Sequence, residues 1–456
     1  MQMRCFRIVF PALAFGASVF LAQSASAEDP RAFAALRTTA PVAHVYVTFH
    51  PSPNASPPIA EIIGFSADSE GRLTPIPGSS VPGIAYAITG DYLFATDWNG
   101  ANVLSYSVAS NGMLTKVETY REANRSPAPE CEYFDNLILD HTGATLYTFG
   151  TFFVSGGGEP NCPNNSVTQS YRINKETGAL TYLGSIDNNL EFDFPVTFTG
   201  NNAFAFGGAG NIYGLKRESD GLLVEATSTS AEPVDAKGAS YFSANAAADP
   251  LNHLAVVLQP GSTGQTMLAT YTVNSNGDLT TSSTVENSPT AHNNVFALQM
   301  SPSGKLLAVA DNSGLRIFHF NGADPITPYT GVLTSDSVIS MSWDNATHLY
   351  AAGINKLYVF TITPTSYEQA PGSPYPIVDP GPIAVRSLMA QPSQFPWVRQ
   401  NDLYQFVRQR LSMRIQLEES IDSESAVAYF LTAGTETCLP EKCKPIFAIR
   451  LLSKCI

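Results

Sequence analysis

The segment TYTVNSNGDLT, residues 270–280, decides the fold. It reads as a strand with an aromatic residue, a polar turn holding Gly277, and a return strand opening on Leu279-Thr280. The same pattern reads GFSADSEGRLT at 64–74, SYSVASNGMLT at 105–115 and SYRINKETGALT at 170–181. Weaker copies are YGLKRESDGLL (213–223), IFHFNGADPIT (317–327) and VFTITPTSYEQ (359–369). The marker positions are Phe65, Tyr106, Tyr171, Leu215, Tyr271, Phe318 and Phe360. Most intervals between them are about forty to fifty-odd residues, the length a unit of four short strands needs.

Outward from each hairpin lies an apolar run: VYVTF (45–49), LFATD (93–97), LYTFG (146–150), AFAFG (203–207), LAVVL (254–258), LLAVA (306–310) and LYAAG (349–353). Hydrophobicity that scarcely alternates means burial on both faces. Further upstream is another strand ending in a turn, as in NVFALQMSPSGK (294–305). The last such strand, PIAVRSLMAQP (382–392), has no partner after it, and VYVTF has no clear one before it. The two deficits match. The sequence predicts an all-β, seven-bladed β-propeller over residues 43–395, with the N- and C-terminal strands closing one blade. A β-sandwich with unrelated strands would not keep seven copies in phase.

Both ends lie outside the repeat. Arg4 and Arg7, the apolar stretch Ile8 to Ala22, and Ala25-Ser26-Ala27 read as a signal peptide over 1–27, followed by a lead-in at 28–42. Export predicts a secreted or periplasmic protein, and no later segment is apolar enough to span a membrane. Residues 396–456 carry Leu403, Phe406, Val407, Leu411 and Ile415 at helical spacing. They are expected to form a partly helical C-terminal extension. Five cysteines remain after cleavage. Cys131 and Cys162 flank a Gly-, Pro- and Asn-rich loop and are expected to staple it as a disulfide, while the pairing of Cys438, Cys443 and Cys455 stays open. No His stands at ligand spacing from Cys438 and Cys443, so no metal site is expected. Nor does any motif call for a cofactor.

With 25 Lys and Arg against 39 Asp and Glu, the net charge is −14. Such a chain repels phosphate backbones, which excludes nucleic acid as a partner. Asn54, Asn124, Asn164 and Asn345 lie in glycosylation sequons.

The repeats resemble the lactonase-like seven-bladed propellers, the 6-phosphogluconolactonase type and its relatives with Tyr-Val-Thr-Asn repeats. The resemblance is carried by Val45-Tyr46-Val47-Thr48, by Ser301-Pro302-Ser303-Gly304-Lys305, and by the Gly-x-Leu-Thr hairpins. It covers roughly residues 43–395 and implies the architecture. Members with lactonase activity typically carry an Arg-His pair on an inner strand and a Glu after the next one. Here Val295-Phe296 and Asn312 stand at those places.

Alternation along the inner strands, aligned on their terminal turns, predicts two rows facing the channel. The first is Ala85, Asn136, Pro195, Asn245, Ala297, Ser340 and Ser387. The second is Ala87, Ile138, Thr197, Ala247, Gln299, Ser342 and Met389. On this register Asn136, Asn245, Gln299, Ser340 and Ser387 are the candidate ligand-binding residues. A slip by one would turn Asp135 and Arg386 inward. With Asp193 and the loop residue His292, these are the catalytic candidates. The rows offer hydrogen bonds but no titratable pair, which acid–base catalysis requires. The expectation is a noncatalytic module binding a small molecule or a protein through its funnel and face loops. The alternatives are a lactone hydrolase and a structural surface repeat.

Overall fold

The computed structural model describes residues 40–388, apart from 52–58, 98–101, 122–135, 151–165, 189–195, 202, 210, 227–240, 261–264 and 292–293. The segments expected to form a signal peptide and a C-terminal extension, the cysteines Cys131 and Cys162 expected to pair, and Asp135, Asp193 and His292 lie outside the described residues.

The strands form seven antiparallel sheets, each built on a path of four strands that follow one another in the chain, with one exception. We number these blades from the N-terminus. In blade 1 the order is Leu73–Pro75, Glu61–Ala67, Ala43–Phe49 and then the last strand of the chain, Pro380–Ser387. The closing pair runs antiparallel, with Val45 opposite Val385 and Val47 opposite Ile383. This is the predicted closure. Val45, Val47 and Ile383 pack with Tyr350, Leu357 and Val359 of blade 7, so the ring is sealed by apolar burial as well as by the ladder.

The innermost strands of blades 2 to 7 are Ile84–Thr89, Asn136–Leu139, Thr197–Phe198, Tyr241–Ala248, Val295–Met300 and Ser340–Trp343. Each is followed by the apolar run as second strand. In blade 6 every residue of Leu306–Asp311 is buried. Leu307 and Val309 face Ala255, Val257 and Leu268 of blade 5. Leu306, Ala308 and Ala310 face Leu349, Ala351 and Met341 of blade 7. A strand between two blades has no solvent face, which is why its sequence does not alternate.

The glycine of the repeat also has a physical cause. Gly277 turns the hairpin at φ +93°, and a Cβ there would stand 2.6 Å from the Phe204 ring of blade 4. Its counterparts Gly71, Gly112, Gly178 and Gly221 abut His348, His44, Tyr92 and Thr145, each at the start of the preceding blade's second strand. The repeat therefore records contact between blades and not only a turn. Blade 7 lacks this glycine. Its turn closes on the Thr363 hydroxyl, which accepts the Ser366 N–H at 3.0 Å.

Candidate functional site

An inner strand pairs on one edge only, and its other edge runs along the channel. Its unpaired backbone groups need partners. The polar residues of the predicted rows supply several of them. The Thr197 hydroxyl accepts the Ala248 N–H of the next blade at 3.1 Å. Asn245 donates from Nδ2 to the Val295 carbonyl of the next blade at 3.1 Å. Ser340 accepts the Ile383 N–H at 3.2 Å, and Thr48 of blade 1 accepts the Ala85 N–H at 2.9 Å. All four reach forward by one blade. The sequence placed Asn245 and Ser340 in the channel row as ligand-binding candidates; in the structure both are bonded across seams between blades.

Pairing places Ile138, Thr197, Ala247, Gln299 and Ser342 at matching positions. Asn136, at the start of its strand, is half-buried. Gln299 is exposed, although it lies within an inner strand. Its side-chain amide has no hydrogen-bond partner among the described residues.

The predicted row fails in blade 1. Ala384, opposite Tyr46, joins the row, while Met389 lies outside the described residues. The row member beyond it is Arg386, opposite His44, while Ser387 faces the other way and accepts the Asn345 N–H of blade 7 at 3.1 Å. The closing strand has no terminal turn on which to align it, so its register is invisible until it meets Ala43–Phe49.

Arg386 is not left free by this. Its guanidinium donates to the Val108 and Ala109 carbonyls at 3.2 and 3.4 Å and pairs with Asp91, all in blade 2. It tethers the closing strand to the next blade at the lower face, where the inner strands end. Among the described residues of the inner strands it is the one charged side chain.

Further titratable pairs stand on the lower turns, and nothing in the sequence reading singled them out. Asp249 and His253, and Asp344 and His348, are four residues apart across the turn between inner and second strand. In each, Oδ1 accepts the His N–H and Oδ2 meets the ring Nδ1 at 2.8 Å. The spacing in DPLNH (249–253) and DNATH (344–348) was the available signal. These carboxylates close turns.

Asp140 is the equivalent residue of blade 3. Burial by itself would raise its carboxyl, but hydrogen bonds from Thr142 and Ala144 and the charge of Arg217, at 2.6 Å, outweigh that and hold it below the ordinary value. A depressed carboxyl stabilises the fold above the unfolded value of about 4 and loses that contribution as pH falls through the folded value. Asp140→Asn should therefore be less stable at neutral pH. Its stability should also fall less steeply below about pH 4. Parallel urea midpoints for the two proteins from pH 6 to pH 2 check this, and equal slopes in acid would contradict it.

The upper face, where the inner strands begin, is different in character. Phe242, Phe296, Ile339, Ile354, Ile59, Val332 and Val378 are all exposed there. Phe296 is the extra residue of a bulge between the Val295–Asp311 and Ala297–Ala310 pairs. Val295 is buried in the seam with blade 5. Asn312 is exposed on the turn after the second strand. Asp311, beside it, is buried and paired to Arg316. No group of three or more His, Cys, Asp or Glu among the described residues is placed to hold a metal.

No family model and no curated protein matches the chain in sequence. Solved structures do match in shape. A protein of Bacteroides uniformis ATCC 8492, provisionally named 6-phosphogluconolactonase, is 14% identical with a TM-score of 0.53, over 75% of this chain and 99% of its own. A protein of Bacteroides fragilis NCTC 9343 with the same provisional name is 13% identical with a TM-score of 0.50, over 77% and 99%. The periplasmic gluconolactonase PpgL of Pseudomonas aeruginosa is 14% identical with a TM-score of 0.50, also over 77% and 99%. At these identities the likeness is one of fold. The chain is a seven-bladed propeller whose structural neighbours are of the 6-phosphogluconolactonase type.

Proposed function

We propose that the chain is a lactonase-like propeller that binds a small molecule or a protein at its funnel and upper face without converting it. One observation carries this reading. Among the described residues the inner strands hold a single charged side chain, Arg386, and that side chain is spent on blade 2. General acid–base work needs a proton donor or acceptor aimed at the reacting atom. The Asp–His pairs of blades 5 and 7 are committed to turns at the far end of the channel. The N-terminal pattern from Arg4 to Ala27 supports action outside the cytoplasm.

The second reading is a lactone hydrolase, favoured by the gluconolactonase named among the neighbours. A panel of sugar and aromatic lactones separates the two. The purified chain should leave every lactone at its buffer rate. Arg386→Ala should lower the melting temperature by a few degrees, since hydrogen bonds from a charged donor contribute about 1.5–3 kcal/mol. Turnover of any lactone that disappears in a folded Arg386→Ala protein would establish the hydrolase instead.

A further inference from the structure

Most polar groups of the channel rows are consumed in the seams, and this narrows what the funnel can hold. Resting on the reading of the funnel as a binding site, we propose that the mouth beside blades 6 and 7 takes an uncharged molecule with a flat apolar body and a carbonyl or amide group. The apolar body meets Phe296 and Ile339. The polar group meets the Gln299 amide.

Phe296 and Ile339 hold the same place in successive blades. Each immediately precedes the inner-strand residue that pairs with the alanine near the end of the second strand, Ala297 with Ala310 and Ser340 with Ala352. They are 43% and 51% exposed. The inner strands of blades 6 and 7 bury Val295, Leu298, Met341 and Trp343, whereas Phe296 and Ile339 join the other exposed apolar residues of the upper face. The bulge at Phe296 is a device that re-aims a side chain. Three residues on, Gln299 is exposed inside the same strand, with an amide that offers both donor and acceptor. Thr197 of the same row, and Asn245 and Ser340 of the other, are bound to backbone. Among the described residues nothing in the inner strands could neutralise an anion at the mouth. Arg386 stands at the opposite end of its strand, bound to Asp91. A carboxylate or phosphate entering there would lose water and find no cation on the described residues of the inner strands, a cost an uncharged molecule avoids.

Three probes test this by equilibrium dialysis: coumarin, a flat uncharged lactone; naphthalene, its hydrocarbon counterpart; and 6-phosphogluconate. Coumarin should bind, naphthalene more weakly and 6-phosphogluconate not at all. Phe296→Ala should weaken coumarin and naphthalene alike by about tenfold, from lost apolar burial. Gln299→Ala should weaken coumarin alone, by about fivefold for one neutral hydrogen bond. Both positions are exposed, and unchanged melting temperatures will show that the variants fold. Coumarin binding that neither variant changes would overturn the proposal. Binding of 6-phosphogluconate alone would overturn the ligand class and leave the funnel as a binding site. Absence of any binding would overturn the proposal and leave the wider reading, which also admits a protein ligand, standing.

Discussion

Asp344→Ala should destabilise the protein by about 4 kcal/mol, the range seen when one partner of a buried pair is removed. The Asp344 side chain is fully buried. Its Oδ1 accepts the Ala346 and His348 N–H groups, both at 2.8 Å. Its Oδ2 meets His348 Nδ1 at 2.8 Å and the Tyr350 hydroxyl at 2.9 Å. Truncation leaves those groups without a partner where water cannot reach, at about 1–3 kcal/mol for each group fully orphaned. The site also bears on closure, because His348 packs against Gly71 of blade 1 and Tyr350 belongs to the apolar seam with the closing strand. Burial, reinforced by Asp344, pushes the Tyr350 hydroxyl well above its ordinary value, so it remains a donor. Asp344→Asn keeps an acceptor for the turn but sets an NH2 donor against the Tyr350 hydroxyl and His348 Nδ1, and should fall between. Urea midpoints check both. A loss under about 1 kcal/mol for Asp344→Ala would show that the turn does not depend on the carboxylate.

Gly314→Ala should cost about 3 kcal/mol. Gly314 ends the turn after the second strand of blade 6 at φ +112°, and an added Cβ would lie 1.9 Å from the Thr334 carbonyl oxygen. That oxygen is backbone, and it already accepts the Leu315 N–H at 2.9 Å. Neither group can yield without breaking the bridge between Leu315 and Thr334. Backbone strain at such a φ costs about 1–3 kcal/mol, and forced overpacking a similar amount. Gly331→Ala is the control, because a Cβ there meets nothing within 4 Å. It should change the midpoint by less than about 0.5 kcal/mol. Equal behaviour of the two variants would mean that the strand entry at Gly314 relaxes freely.

The architecture was readable because blade packing imposes local rules. A strand between two blades must be apolar on both faces, as in LLAVA, and a hairpin pressed on its neighbour needs glycine, as at Gly277. The closure was readable for the same reason, as two incomplete blades. The inner strand of blade 1 was not placed correctly. Its row of Ala384 and Arg386 depends on pairing with a strand more than 300 residues earlier, which no local pattern reports. The bulge at Phe296 was likewise silent, since only the partner strand shows which residue is extra. Asn245 and Ser340 were found as polar residues of the inner strands. That they bind the next blade's backbone follows from unpaired edges, a property of the ring and not of any one strand. The Asp-x-x-x-His turns were in plain view, but a spacing of four is also ordinary in loops.

Native-state amide hydrogen exchange across the closing blade tests the account most directly. If the ring is closed as described, the amides of Ile383 and Val385 should open only with global unfolding, together with those of Leu307 and Val309 at the centre of blade 6. Exchange of Ile383 and Val385 at loop rates, while blade 6 stays protected, would contradict a propeller closed by its two ends.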